Sequence, residues 1–228
     1  MARRLWSTLK GSFASSVLAA NVLTVFSGMI PFALVKLALP FAAVRRVVDR
    51  VLMALAQGWV GVNGAWMALV QRIRWDVEGL EGLRRKGWYL VSSNHQSWVD
   101  ILVLQKVFHR RVPFLKFFLK RQLLYVPVMG LAWWALDFPF MRRRTGSRSQ
   151  DLRTAREACE KFRLVPTSVM NFLEGTRFSR AKHAAQQSPY RHLLKPKAGG
   201  LATALAAMGE RFDALLDVTI IYPDGVPT

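Results

Sequence analysis

His95 and Asp100 stand five residues apart in the stretch Asn94-His95-Gln96-Ser97-Trp98-Val99-Asp100. An imidazole that donates one ring N–H to a carboxylate is held in a single tautomer. Its other nitrogen becomes a better proton acceptor, suited to deprotonating an alcohol or activating a water. Four histidines and eight aspartates among 228 residues would supply such a pair by chance in roughly one chain in seven. The pair gains meaning only from what surrounds it. Ser92, Ser93 and Ser97 flank the histidine, but no Gly-x-Ser-x-Gly elbow is present to make one of them a nucleophile. Ser97 suits a cap on the helix that follows the turn, and Asn94 and Ser97 also count among the candidate substrate-binding residues.

A second polar turn follows in Phe172-Leu173-Glu174-Gly175-Thr176-Arg177. Arg177 and Arg143, the latter just after a short extended piece ending at Met141, are suited to a phosphate because a guanidinium donates two parallel hydrogen bonds. Gly175 lets backbone come close to a ligand. Each has a plainer reading: Arg142, Arg143, Arg144 and Arg148 as a solvated basic patch, and Glu174 as the partner of an arginine that holds the turn. His109 beside Arg110 and Arg111 reads as a surface histidine, and His183 and His192 lie in a polar segment with no assigned role. No His-Glu-x-x-His, Gly-x4-Gly-Lys-Ser/Thr or Gly-x-Gly-x-x-Gly occurs, so zinc hydrolysis, a P-loop and a dinucleotide fold lack their usual support.

Both turns follow apolar runs that read as buried strands, Trp88–Val91 and Thr167–Leu173, and ligands collect beyond the carboxyl ends of strands in α/β sheets. Asp100–Phe108 reads as a helix with Asp100 in its first turn, where the helix dipole favours a carboxylate. Further strands are expected at Ile73–Glu78, from its apolar and polar alternation, at Pro113–Phe118, at Asp137–Met141 and at Leu216–Tyr222. Helices are expected at Arg121–Leu136, bent at Pro127 and Gly130, at Ser147–Leu164 and at Ala198–Met208. The predicted class is α/β, with a mixed, mostly parallel sheet flanked by helices. Residues 73–228 form this domain, and residues 1–72 precede it as a separate region.

That region contains no charged residue from Gly11 to Val35 or from Val51 to Val70, with the basic segment Lys36 to Arg50 between. The first run is too long for the apolar core of a cleaved signal peptide, so a retained membrane-anchoring two-helix hairpin is expected. Basic head, connector and tail all oppose translocation, which favours half-insertion from the cytoplasmic face of the cell membrane, with the catalytic domain facing the cytoplasm. Two full spans, or a helical pair buried against the domain, remain open. The chain carries 33 Lys and Arg against 14 Asp and Glu, net +19, yet is 52% hydrophobic. An anionic membrane surface satisfies both figures, whereas a membrane-tethered nucleic-acid binder accounts for the charge and leaves the two polar turns unexplained. Cys159, the only cysteine, excludes an internal disulfide.

Asn94-His95-Gln96-Ser97-Trp98-Val99-Asp100 resembles the Asn-His-x4-Asp motif of the glycerolipid acyltransferases, the family that includes 1-acylglycerol-3-phosphate acyltransferase. Phe172-Leu173-Glu174-Gly175-Thr176-Arg177 resembles their third motif. Of the second motif, Phe140, Met141 and Arg143 match, while Asp137 stands in the glycine slot. In the fourth, on Val218 to Tyr222, Thr219 stands in the proline place. The resemblance covers Trp75 to Tyr222, and a chain ending at Thr228 looks truncated beside family members. It implies transfer of an acyl group from acyl-CoA or acyl-ACP, as co-substrate and with no further cofactor or metal, to the free hydroxyl of a lysophospholipid. The foremost acceptor is 1-acyl-sn-glycerol-3-phosphate, with another lysophospholipid or a lipid A precursor as alternatives. His95 would act as base and Asp100 as its orienting partner. Arg143, Arg177 and Lys197 would hold phosphate, with Glu174, Gly175 and Thr176 in the same binding turn, and nucleic acid is not an expected partner.

Overall fold

The computed structural model of the protein describes residues 2–39, 41–70, 73–138, 140–141, 162 and 165–227. The chain forms two compact units, Met1–Glu78 with Gln122–Asp137, and Gly79–Arg121 with Phe138–Thr228.

In the first unit, α1 (Ala2–Ala38) and α2 (Ala42–Val70) pack along one another. Phe26, Met29 and Ala33 from α1 and Leu52, Ala56 and Val60 from α2 are buried, the three-to-four-residue spacing of apolar helix faces. Phe26 also meets the Trp59 ring at 5.3 Å. Among the described residues, Gly11–Ala38 is the one helix long and apolar enough to cross a bilayer. The uncharged stretch of α2 also carries Gln57 and Asn63. Asn63 Oδ1 accepts from Asn21 Nδ2 at 2.7 Å, so the two polar side chains within the helical pair satisfy each other.

Gln122–Asp137, which the sequence reading places with residues 73–228, groups with these helices because α4 (Met129–Ala135) packs on α1. The helix expected over Arg121–Leu136 is broken: a 3₁₀ turn spans Arg121–Tyr125, Pro127 follows, and Val128 takes φ +64°. A Cβ at Gly130 would collide with the Leu124 carbonyl oxygen, so only glycine fits there. At the end of α4 the buried Lys36 ammonium lies 2.8 Å from both the Asp49 and Asp137 carboxylates and donates to the Ala135 carbonyl at 2.8 Å. Asp137 itself has φ +56°, a left-handed conformation that aspartate tolerates better than most residues.

The second unit is built on four parallel strands in the order β2 (Leu115–Phe117), β5 (Ser168–Phe172), β1 (Tyr89–Ser93), β6 (Ala214–Val218). β3 (Leu119–Lys120) and β4 (Phe140–Met141) form a separate parallel pair. On one face Tyr89, Val91 and Met170 pack with Leu104 and Phe108 of α3 (Val99–Phe108). On the other, Leu90 and Val169 pack with Ala204, Ala207 and Met208 of α6 (Gly199–Met208). α5 (Arg180–Gln186) is short, with Ser179 accepting the Lys182 N–H as its cap.

The expected strand at Ile73–Glu78 does not form: these residues take part in no strand among the described residues, and Ile73 and Val77 are exposed. The final strand lies earlier than expected, because Thr219–Tyr222 leaves the β-ladder. Of the expected helix Ser147–Leu164, which contains Cys159, only Phe162 belongs to the described residues.

Candidate active site

Ser93 of β1 lies opposite Phe172 of β5 on one side and Val218 of β6 on the other. Three parallel strands therefore end together, and the residues that follow each, Asn94-His95, Leu173-Glu174 and Thr219-Ile220, emerge at one edge of the sheet.

There His95 Nδ1 lies 2.9 Å from Asp100 Oδ2. The same oxygen accepts the backbone N–H groups of Gln96 at 2.6 Å and Ser97 at 2.9 Å. Asp100 has no accessible surface, and burial alone would raise its carboxyl. Hydrogen bonds from His95, Tyr222, Ser97 and Gln96 outweigh that effect and hold the group below its ordinary value. An ionised Asp100 places the imidazole proton on Nδ1, leaving the lone pair on Nε2. The His95 ring stacks on Phe172 with centroids 3.9 Å apart and 11° between planes. Its side chain is 14% exposed, and none of the described residues hydrogen-bonds Nε2. This arrangement can take a proton from a hydroxyl brought to Nε2.

The two turns singled out in the sequence meet. Glu174 Oε1 accepts the His95 N–H at 2.8 Å, and Phe178 N–H donates to the His95 carbonyl at 2.7 Å. Glu174 Oε2 accepts the Leu194 N–H at 2.9 Å, so this buried side chain uses both oxygens on backbone. Asn94 does likewise, donating to the Ile220 carbonyl at 2.9 Å and accepting the Ile220 N–H at 2.8 Å. Ser97 Oγ donates to the Pro227 carbonyl at 2.7 Å and accepts from Val99 N–H at 3.3 Å. These three, expected to bind substrate, have their polar side-chain atoms committed within the protein.

Gly175 turns the chain at φ +66°, with its N–H on the Phe172 carbonyl at 2.9 Å. Lys182 Nζ ties that turn by donating to Thr176 Oγ1 at 3.0 Å and to the Arg177 carbonyl at 2.9 Å. The Arg177 side chain is exposed and makes no hydrogen bond or ion pair with the described residues. Lys197 is brought beside the same strand end, its N–H donating to the Leu173 carbonyl at 2.6 Å, and it too is exposed. Arg143 lies outside the described residues. His109, expected on the surface, is half-buried at the far end of α3 from Asp100; burial first, then Arg110, Arg85 and Lys106, lower its pKa.

Residues 74–223 match the family model described as Acyltransferase. The chain belongs to that family. The 1-acyl-sn-glycerol-3-phosphate acyltransferase 3 of Arabidopsis thaliana is 30% identical over 175 residues, which cover 72% of this chain and 46% of the relative. The 1-acyl-sn-glycerol-3-phosphate acyltransferase gamma of Homo sapiens is 30% identical over 113 residues, 45% of this chain and 29% of its own. The chain thus spans about half, or less, of the length of these relatives. The crystal structure of the 1-acyl-sn-glycerophosphate (LPA) acyltransferase PlsC from Thermotoga maritima matches with a TM-score of 0.56 at 22% identity. That match covers 90% of this chain and 72% of that one, and shows a shared fold.

Two features of this site escape a reading of the sequence. Tyr222, which reads as the last residue of a strand, donates its hydroxyl to Asp100 Oδ1 at 2.6 Å. Phe172, which reads as strand interior, forms the platform under His95. A buried aspartate with more acceptor capacity than one histidine fills is the signal that could have prompted a search for a second donor.

Proposed function

We propose that this acyltransferase moves an acyl group from acyl-CoA or acyl-ACP to the free hydroxyl of 1-acyl-sn-glycerol-3-phosphate, giving phosphatidate. The hydrogen bond from His95 Nδ1 to the buried Asp100, which leaves Nε2 open, carries this reading. Nε2 takes the hydroxyl proton as the acceptor oxygen attacks the thioester carbonyl carbon. Asp100 holds the ring in place and stabilises the imidazolium that forms. When the tetrahedral intermediate collapses, the carbon–sulfur bond breaks and the imidazolium returns its proton to the departing thiolate. The thioester is already activated, so neither a covalent acyl-enzyme nor a cofactor is needed.

Arg177 and Lys197, exposed at the same strand ends, are suited to the acceptor phosphate, with Arg143 the third candidate. Asn94, Ser97 and Glu174 serve by fixing the turns. The uncovered apolar surface of the long helices, including Phe13, Leu23 and Leu34 on α1, supports association with a bilayer from which both lipids enter. The basic flanks of these helices favour the cytoplasmic side of the cell membrane.

The decisive experiment offers purified full-length chain a panel of lysolipids with labelled acyl-CoA or acyl-ACP. The expected result is preferential acylation of 1-acyl-sn-glycerol-3-phosphate and no product from His95→Ala. Near-normal turnover by that variant would dispose of the mechanism. A second reading, transfer to another lysophospholipid or a lipid A precursor, draws on Asp137 in the glycine slot of the second motif and would appear in the panel as a different preferred acceptor.

A further inference from the structure

Asp100 presents its two oxygens to different partners. Oδ2 receives His95 Nδ1 and the Gln96 and Ser97 amides, whereas Oδ1 receives the Tyr222 hydroxyl at 2.6 Å. Among the described residues no other donor reaches Oδ1. We propose that Tyr222 is a positioning residue for the His95–Asp100 pair, its hydroxyl anchoring Oδ1 so that Oδ2 stays turned toward the imidazole. This rests on the reading of His95 as general base.

The tyrosine is built in from two sides. Its ring packs against the core cluster of Tyr89, Val91 and Leu104. Two residues earlier, the Ile220 backbone is clasped by the Asn94 amide and also accepts from Gln96 Nε2 at 3.0 Å. Burial, and then the Asp100 carboxylate, raise the phenol well above its ordinary pKa, so it remains a donor throughout the working pH range. The titratable groups facing this pair are His95 from the β1–α3 turn and, through the His95 amide, Glu174 from the turn after β5. Tyr222 does not reach Nε2, where the acceptor would bind, so its influence passes through Asp100.

The phenol hydrogen bond fixes Oδ1 and with it the direction of Oδ2. Removing it frees Oδ2 to turn from Nδ1, which weakens the stabilisation of the imidazolium and leaves the ring less firmly aimed. In Tyr222→Phe, which keeps the ring, kcat is expected to fall roughly tenfold. The acid limb of the kcat/KM profile should move to lower pH. The Michaelis constants for 1-acyl-sn-glycerol-3-phosphate and a long-chain acyl-CoA should stay within about twofold of the parent. A parent-like kcat and pH profile would overturn the proposal, and so would a lower kcat with an unmoved acid limb, the mark of a merely structural role. Full turnover in His95→Ala would instead remove the base assignment on which the proposal stands.

Discussion

Glu174 holds His95 by its backbone: Oε1 accepts the His95 N–H at 2.8 Å while Oε2 accepts the Leu194 N–H at 2.9 Å. A buried carboxylate between two amide donors cannot be replaced by an amide without turning an NH₂ group toward one of them. Glu174→Gln is therefore expected to lose about 1–3 kcal/mol of stability, read as a lowered denaturation midpoint. Its kcat should fall about tenfold or more because the His95 turn shifts. The Michaelis constant for the phosphate-bearing acceptor should change little. A selective rise in that constant would return Glu174 to the substrate.

Arg177 presents the opposite case. Its exposed side chain has no partner among the described residues, so Arg177→Ala should leave stability within about 0.5 kcal/mol. The Michaelis constant for 1-acyl-sn-glycerol-3-phosphate should rise about tenfold, the scale of a lost charge-assisted hydrogen bond. An unchanged constant would move the phosphate elsewhere.

The depressed Asp100 carboxyl links stability to acidity. A group whose pKa is lower folded than unfolded contributes stability that is present above its ordinary value of 3.8 and is lost as pH falls through the folded value. Denaturation midpoints measured on either side of that value should show the parent losing stability toward acid more steeply than Asp100→Asn, which has no carboxyl to protonate. Parallel curves would mean that Asp100 has the same pKa folded and unfolded.

Asp137 allows a backbone effect to be separated from an ionic one. Both Asp137→Gly and Asp137→Ala remove one of the two carboxylates on Lys36, but only alanine must adopt φ +56° with a Cβ. The alanine variant should be less stable by about 1 kcal/mol. Equal midpoints for the two would mean that the left-handed conformation relaxes when the carboxylate is lost.

The parts of this architecture visible in the sequence are those whose signal is local. His95 and Asp100 fall within one turn and the start of one helix, and the charge-free runs mark the middle of α1 and the later part of α2, while most of the basic connector expected at Lys36 to Arg50 is itself helical. The alternation of Ile73, Trp75 and Val77 misleads because an extended segment has the same pattern whether or not a strand lies beside it. The insertion of β5 between β1 and β2 has no local signature, and neither does the pairing of Asn21 with Asn63. Tyr222 escapes notice for the same reason, since it meets Asp100 only after the sheet brings distant strand ends together. The break at Val128 is half visible: Pro127 announces it, but the close approach of the Leu124 carbonyl to Gly130 does not appear in the sequence.

The His95 turn is fastened by residues far along the chain: Glu174 at a separation of 79 residues from His95, Tyr222 at 122 from Asp100, Ile220 at 126 from Asn94 and Pro227 at 130 from Ser97. Closing such loops is slow compared with forming helices. During refolding, the helical signal should recover first and turnover last, and a peptide spanning only the motif should have no activity. Turnover in this protein therefore reports the completion of folding along the whole sheet edge.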